Sequence, residues 1–203
     1  KTATAFLLDS DADVHVSIDS DIVFDPQSVL QIAEQAHELG VIVAGLYVTR
    51  AAGALCRPTS IFETDVPIEF GTDPKPVEVK YVATGFMATA RVVIETLAKD
   101  MPLCHPKEWW RFYPLHLPMI VGGENGPEYL SEDYAFCERA RRAGFKVYIN
   151  PAIRLLHLGQ YPFSLSDLGQ PELQAAPMRL TYQQDHRYKI ERADNEVANQ
   201  PPS

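Results

Sequence analysis

Asp19 and Asp21, separated by Ser20, close the stretch Val14-His15-Val16-Ser17-Ile18-Asp19-Ser20-Asp21-Ile22-Val23-Phe24, which alternates apolar and polar residues as a half-buried strand does. Two carboxylates at the end of a buried strand are costly to desolvate unless a cation or hydrogen-bond donors balance them. Ligands of open α/β sheets collect at the carboxyl ends of strands. Location and chemistry together point to a divalent metal holding a phosphorylated ligand. Three further features carry residue types suited to such a site: the turn Thr84-Gly85-Phe86, the pair Glu132-Asp133, and His157. Each also has an ordinary reading. Acidic residues suit a helix N-terminus, a single histidine commonly serves in a core or on a surface, and a glycine such as Gly85 marks a turn or bulge. Trp109 and Trp110 read either as packing residues or as a stacking platform for a ring.

The elements that must position these residues follow from pattern. Thr2 to Leu8 reads as the end of an amphipathic helix, followed by the acidic turn Asp9-Ser10-Asp11-Ala12-Asp13. That turn fails as a calcium loop, because Val14 stands where such a loop needs Gly and Ser20 where it needs a bidentate Glu. Asp25 and Pro26 start a helix as N-cap and first residue. Val29, Leu30, Ile32, Ala33, Ala36 and Leu39 supply its apolar stripe, and Gly40 ends it. The continuous apolar run Val41 to Val48 predicts a buried parallel strand, and Arg50 after it suits a contact to a phosphate or a carboxylate.

From Arg50 to Pro76 no period is sustained, which predicts loops, with Thr59 to Glu63 as one strand of a short hairpin. Val77 to Val82 alternates as a strand and runs into Gly85-Phe86-Met87, and Arg91 to Lys99 forms a short helix. Met101 to Pro127 reads as a long functional loop. Within it, Trp109 to Glu128 suits a mobile lid and Val121-Gly122-Gly123-Glu124-Asn125-Gly126 its hinge. Ser131 N-caps a helix that opens on Glu132 and Asp133, turns Tyr134, Phe136, Cys137 and Ala140 inward, and ends at Gly144. Lys146 to Ile149 and Ile153 to Gly159 are strands. Thr181 to Val197 suits a polar helix, and Gln200 to Ser203 a loose tail. The alternation of helix and strand predicts an α/β fold with a doubly wound, mostly parallel sheet.

Composition narrows the function classes. With 203 residues, 46% of them apolar, one globular domain is expected. A net charge of -9 without a basic stripe argues against a nucleic-acid partner. Cys56, Cys104 and Cys137 are far apart and form no C-x-x-C pair, so they read as reduced thiols rather than a disulfide framework or zinc site. There is no apolar run of transmembrane length and no signal-peptide pattern. The expectation is a protein with no transmembrane segment and a cytoplasmic location. Lys1 in place of an initiator Met suggests a processed or trimmed chain.

In chain order, Asp19-Ser20-Asp21, Gly85-Phe86-Met87, Glu132-Asp133-Tyr134 and His157-Leu158-Gly159 resemble the motifs of metal-dependent glycosyltransferases of the GT-A fold, the family-2-like group in particular. The resemblance spans residues 1–160 and leaves 161–203 as a polar, partly helical extension. It implies a Rossmann-like fold with a mostly parallel sheet, lacking the usual N-terminal nucleoside-binding strands because the D-x-D motif comes so early. It implies that Asp21 binds Mn²⁺ or Mg²⁺ directly, that Asp19 binds the ribose or the metal through water, and that His157 is a metal ligand favouring Mn²⁺. Asp19, Ser20, Gly85 and Phe86 would line the donor site, the backbone at Gly85 approaching the sugar closely, with Trp109 and Trp110 stacking on it. Asp133 would be the general base and Glu132 would orient acceptor or base, giving single displacement with inversion. The donor would be a UDP- or GDP-sugar and the acceptor a hydroxyl of a glycan, lipid or protein. An absent nucleoside-binding unit would leave an open sheet edge, which favours a homo-oligomer or a partner chain.

Two other functions compete. Ser17-Ile18-Asp19-Ser20-Asp21-Ile22-Val23 also resembles the nucleophile strand of haloacid-dehalogenase-type phosphatases, but no downstream G-D-x-x-x-D or D-D pair accompanies it. A non-catalytic or fragmentary sugar-nucleotide-binding domain is the alternative that the early position of the D-x-D motif favours.

Overall fold

A computed structural model of the chain describes residues 2–51, 56–62, 67–71, 73–123, 126–159, 162–165, 178–184 and 188–192. Helix α1 (Thr2–Asp9) leads through the acidic turn to strand β1 (Val14–Ile18), and a turn at Asp19-Ser20-Asp21 leads to the short strand β2 (Ile22–Val23). Helix α2 (Pro26–Leu39) starts where Asp25 accepts a hydrogen bond from the Gln27 amide at 2.9 Å and stops where Gly40 adopts a φ of 66°. Strands β3 (Ile42–Gly45), β4 (Pro67–Phe70), β5 (Val77–Val79) and β6 (Phe86–Ala90) follow, the last running directly into helix α3 (Arg91–Lys99). A hairpin of β7 (Met119–Gly123) and β8 (Gly126–Leu130) precedes helix α4 (Glu132–Arg142). Strands β9 (Val147–Asn150), β10 (Leu156–Leu158), β11 (Pro162–Phe163), β12 (Met178–Tyr182) and β13 (Tyr188–Arg192) complete the order.

The main sheet has the strand order β1-β6-β3-β9-β5, and its pairings correct the expected Rossmann-like, mostly parallel arrangement. Among the described residues only β3 and β9 pair in parallel; β1 with β6, β6 with β3, and β9 with β5 are antiparallel. The smaller sheets, β11-β10-β2, β13-β12-β4 and β7-β8, are antiparallel throughout. The cause lies in β6. Helix α2 crosses over between β1 and β3 and leaves them pointing the same way, as a strand-helix-strand pattern requires. Strand β6 then enters between them in the opposite sense. Its sequence, Phe86-Met87-Ala88-Thr89-Ala90, is buried at every position and carries no alternation to mark it as a strand. Strand β1 is left at the edge of the sheet, with no strand on its outer side among the described residues.

Both faces of the sheet are covered, which is why Val41 to Val48 is apolar without a break. Ile42, Ala44, Leu46 and Val48 join one core with Val93 and Ile94 of α3 and Phe136 and Cys137 of α4. Val41, Val43 and Tyr47 join a second core with Ile32 and Ala36 of α2. The stripe of α2 is narrower than expected, since Leu30 and Leu39 are exposed.

Two segments depart further from the sequence reading. Where a polar helix was expected from Thr181 to Val197, the described residues form the hairpin β12-β13, which pairs with β4. Arg179-Leu180-Thr181-Tyr182 and Tyr188-Lys189-Ile190-Glu191 have a strand's period of two, and Leu180 is fully buried in the core that Phe163 and Leu165 also enter. Within the expected lid, residues 111–116 pack on α1 and α4. Arg111 pairs with Asp9 of α1 at 2.7 Å, the Tyr113 amide donates to Thr4 Oγ1 at 2.9 Å, and the His116 ring stacks on Phe136 of α4 at 4.4 Å. Its glycines belong to the β7-β8 hairpin. Ile61 forms a single bridge to Tyr81 rather than part of a strand. Glu63, Glu124, Asn125, residues 193–197 and the tail 200–203 lie outside the described residues. Among the described residues no helix is long and apolar enough to cross a membrane.

Candidate functional site

Because β1, β3 and β9 run one way and β6 the other, the carboxyl ends of the first three meet the amino end of β6 along one edge. Asp19 to Asp21 follow β1, Tyr47 to Arg50 follow β3, and Thr84-Gly85 lead into β6. The segments that carry the expected site residues therefore share one edge although the sheet is mixed.

Gly85 is the meeting point. Its carbonyl accepts the Asp19 amide at 2.9 Å, and its own amide donates to the Tyr47 phenol oxygen at 3.1 Å. A Cβ on Gly85 would lie 2.7 Å from Tyr47 Cζ and 2.9 Å from Asp19 Oδ2, with the phenol oxygen closer still. Gly85 is not among the residues with positive φ, so glycine is required for space and not for backbone conformation. The space is filled by Tyr47 and Asp19, which replaces the expectation that a sugar approaches the backbone there. Burial, foremost, drives the Tyr47 phenol well above its ordinary pKa; the Gly85 amide opposes this, and the charges of Asp133 and Asp19 add to it. Thr59 fixes the backbone of Tyr47 by donating both its amide, at 3.0 Å, and its hydroxyl, at 2.9 Å, to the Tyr47 carbonyl.

Asp133 reaches the cluster from the first turn of α4. Thr84 Oγ1 donates to Asp133 Oδ1 at 2.8 Å. Burial raises the Asp133 carboxyl above the usual carboxylate range, Thr84 pulls against it, and the charges of Glu132 and Asp19 add to the rise. A carboxylate with this balance is suited to accept a proton. Glu132 is exposed beside it.

Asp21 and His157, far apart in sequence, are brought together by the small sheet: His157 pairs with Ile22, and the Leu158 amide donates to the Asp21 carbonyl at 2.8 Å. His157 Nδ1 lies 2.7 Å from the Val48 carbonyl oxygen. A carbonyl can only accept, so Nδ1 carries the hydrogen, and in the neutral imidazole Nε2 then offers its lone pair. Nε2 stands 3.5 Å from Asp21 Oδ2. Two donors on neighbouring positions of one ion, each bonded at about 2.0–2.2 Å, are separated by about 3.0–3.5 Å. The pair therefore fits a divalent cation, and the carbonyl behind the imidazole is the outer partner that metal-binding histidines use. Arg50 Nη1 also reaches Asp21 Oδ2, at 2.8 Å. The Tyr47 and His157 rings meet edge to face with centroids 5.1 Å apart, which ties this pair to the cluster around Gly85.

Other expected site residues fall differently. Asp19 is turned to Gly85 and Tyr47, and no three His, Cys, Asp or Glu side chains among the described residues converge as a metal cage. Asp19 is thus not a third direct ligand in this arrangement. Ser20 is exposed at the tip of the turn. Phe86 is fully buried against Phe24, with centroids 5.2 Å apart, so it supports the core and does not line a cofactor site. Trp109 is 89% exposed, and Trp110 sets its ring against His105. The residue missed from the sequence is Tyr47. Its signal was there: one polar-tipped aromatic near the carboxyl end of an otherwise apolar run.

No protein-family model matches this chain, and no curated protein matches it. Among solved structures, it is similar to one described as the crystal structure of A197 from STIV, with 16% sequence identity, a TM-score of 0.46, and 99% of this chain and 76% of that chain covered.

Proposed function

We propose that this chain transfers a sugar from a nucleotide-sugar donor, a UDP- or GDP-sugar, to a hydroxyl of a glycan, lipid or protein acceptor, with Mn²⁺ or Mg²⁺ bound. One observation carries the reading: Asp19 and Asp21, Gly85, Asp133 and His157 come from four separate segments and converge at one sheet edge beside Tyr47. Asp21 and His157 would hold the ion through Oδ2 and Nε2. When bound, it supplies a Lewis acid for charge developing on the leaving nucleoside diphosphate. Asp19, fixed by Gly85, presents a carboxylate to the ribose hydroxyls. Asp133 takes the proton of the acceptor hydroxyl while Thr84 keeps its carboxyl oriented. A single displacement inverts the anomeric carbon.

The test is hydrolysis and transfer across a panel of sugar nucleotides, with and without Mn²⁺. Asp21→Ala should abolish metal-dependent nucleotide binding. Asp133→Asn should keep binding and lose transfer. Unchanged metal-dependent binding in Asp21→Ala would remove the assignment. A binding domain without turnover is the second reading, favoured by the open edge of β1; it predicts nucleotide binding with neither hydrolysis nor transfer for any donor.

A further inference from the structure

Arg50 has no role in the chemistry above, yet it holds the atom on which that chemistry turns. Its Nη1 lies 2.8 Å from Asp21 Oδ2, the same oxygen that His157 Nε2 faces at 3.5 Å. A divalent cation shared by Asp21 and His157 would claim this oxygen, and two positive centres would then compete for one acceptor. The Arg50 stem passes over Gly159, where an added Cβ would stand 3.2 Å from Arg50 Cδ and 3.4 Å from Cγ. The absence of a side chain at Gly159 thus leaves a track for the stem. The Arg50 side chain is half exposed, and so can leave the carboxylate at little cost. A guanidinium displaced by the ion would remain within reach of any phosphate oxygens gathered around it, and its fork of donors suits them.

We propose that Arg50 is a latch: it occupies Asp21 while the site is empty and moves to the diphosphate when metal and diphosphate bind together. Resting on the metal-dependent sugar-nucleotide reading of the same site, this makes metal and diphosphate binding mutually dependent, beyond their direct contact with each other. The coupling is reciprocal, so one residue sets both affinities. The latch disfavours metal alone and favours the metal-diphosphate pair.

The experiment measures Mn²⁺ binding to the full chain by electron paramagnetic resonance and calorimetry, alone and with inorganic pyrophosphate. The proteins are the unaltered chain, Arg50→Met, Arg50→Lys and Asp21→Asn. Arg50→Met keeps the stem over Gly159 and removes the charge. It should bind Mn²⁺ alone about three- to tenfold more tightly, as expected for losing a half-exposed ion pair and a competing charge. It should bind Mn²⁺-pyrophosphate about tenfold less tightly, as expected for one lost charge-assisted contact. Arg50→Lys should fall between, keeping charge without the fork. If Asp21→Asn abolishes Mn²⁺ binding while Arg50→Met leaves both affinities unchanged or weakens Mn²⁺ alone, the latch is wrong and the metal pair stands. If neither the unaltered chain nor Arg50→Met binds Mn²⁺, with or without pyrophosphate, the metal reading fails and takes the latch with it.

Discussion

Replacing Gly85 with alanine tests whether the site is organised around Tyr47. The new Cβ would stand 2.7 Å from Tyr47 Cζ and 2.9 Å from Asp19 Oδ2, nearer than Cβ atoms come to other heavy atoms in real structures. Tyr47 is 5% exposed and packed in the buried cluster under α2, so its ring has little room to swing away. Overpacking of this kind costs about 1–3 kcal/mol. Losing the bond from the Gly85 amide to the phenol adds about 1 kcal/mol. For a chain of this size the sum of about 2–4 kcal/mol lowers Tm by roughly 5–15 °C. Thermal unfolding gives the shift, and nucleotide binding gives the displacement of Asp19. Gly122→Ala is the control, because nothing lies within 4 Å of its Cβ position; it should leave Tm nearly unchanged. Removing the phenol hydroxyl with Tyr47→Phe should relieve part of the clash, so the double variant should lose less than the two single losses combined. A Gly85→Ala protein as stable as Gly122→Ala, with native nucleotide affinity, would refute the packing argument.

The Asp133 pKa is raised in the fold, so its contribution to stability is fully present below the unfolded pKa and is lost as pH rises through the folded one. Asp133→Asn should therefore raise Tm at neutral pH while abolishing transfer, and the advantage should vanish in acid; thermal unfolding across pH checks both. His116 is lowered by burial from 6.5 to about 4, so its contribution is present above 6.5 and lost as pH falls toward about 4. His116→Phe should flatten the fall of Tm across that window. Arg91 donates to the carbonyls of Ala12 and Ser10, each at 2.6 Å, and reaches Phe6 and Leu7 at the end of α1. Arg91→Ala should destabilise by about 1–3 kcal/mol and expose α1 amides to hydrogen exchange first.

Local chemistry was legible in the sequence where neighbours along the chain determine it. Asp25-Pro26 and Gly40 bound α2 as capping requires, and Gly144 follows α4 with a φ of 91°. Directions were legible too: the crossover through α2 sets β1 and β3 parallel. Pairing was not. The insertion of β6 between them depends on burial of a short segment with no strand signature, and that one insertion turns the expected parallel sheet into a mixed one. The same limit applies to the site. The carboxylates and the histidine are recognisable as types, but the approach of Asp21 to His157 depends on the register of β2 with β10 and on a backbone carbonyl at Val48. A carbonyl has no residue type to read. Phe86 beside Gly85 looked like part of the site and is core, because its ring packs on Phe24 in the buried cluster that α2 covers.

In the proposed reading Asp21 and His157 hold one divalent ion beside a sugar-nucleotide site. Anomalous diffraction at the manganese edge, from crystals soaked with Mn²⁺ and a nucleoside diphosphate, tests it directly. The expected result is one peak bonded to both Asp21 Oδ2 and His157 Nε2, with diphosphate oxygens completing its coordination and His157 Nδ1 still on the Val48 carbonyl. A site without manganese, or manganese bound elsewhere while Arg50 stays on Asp21, would contradict it.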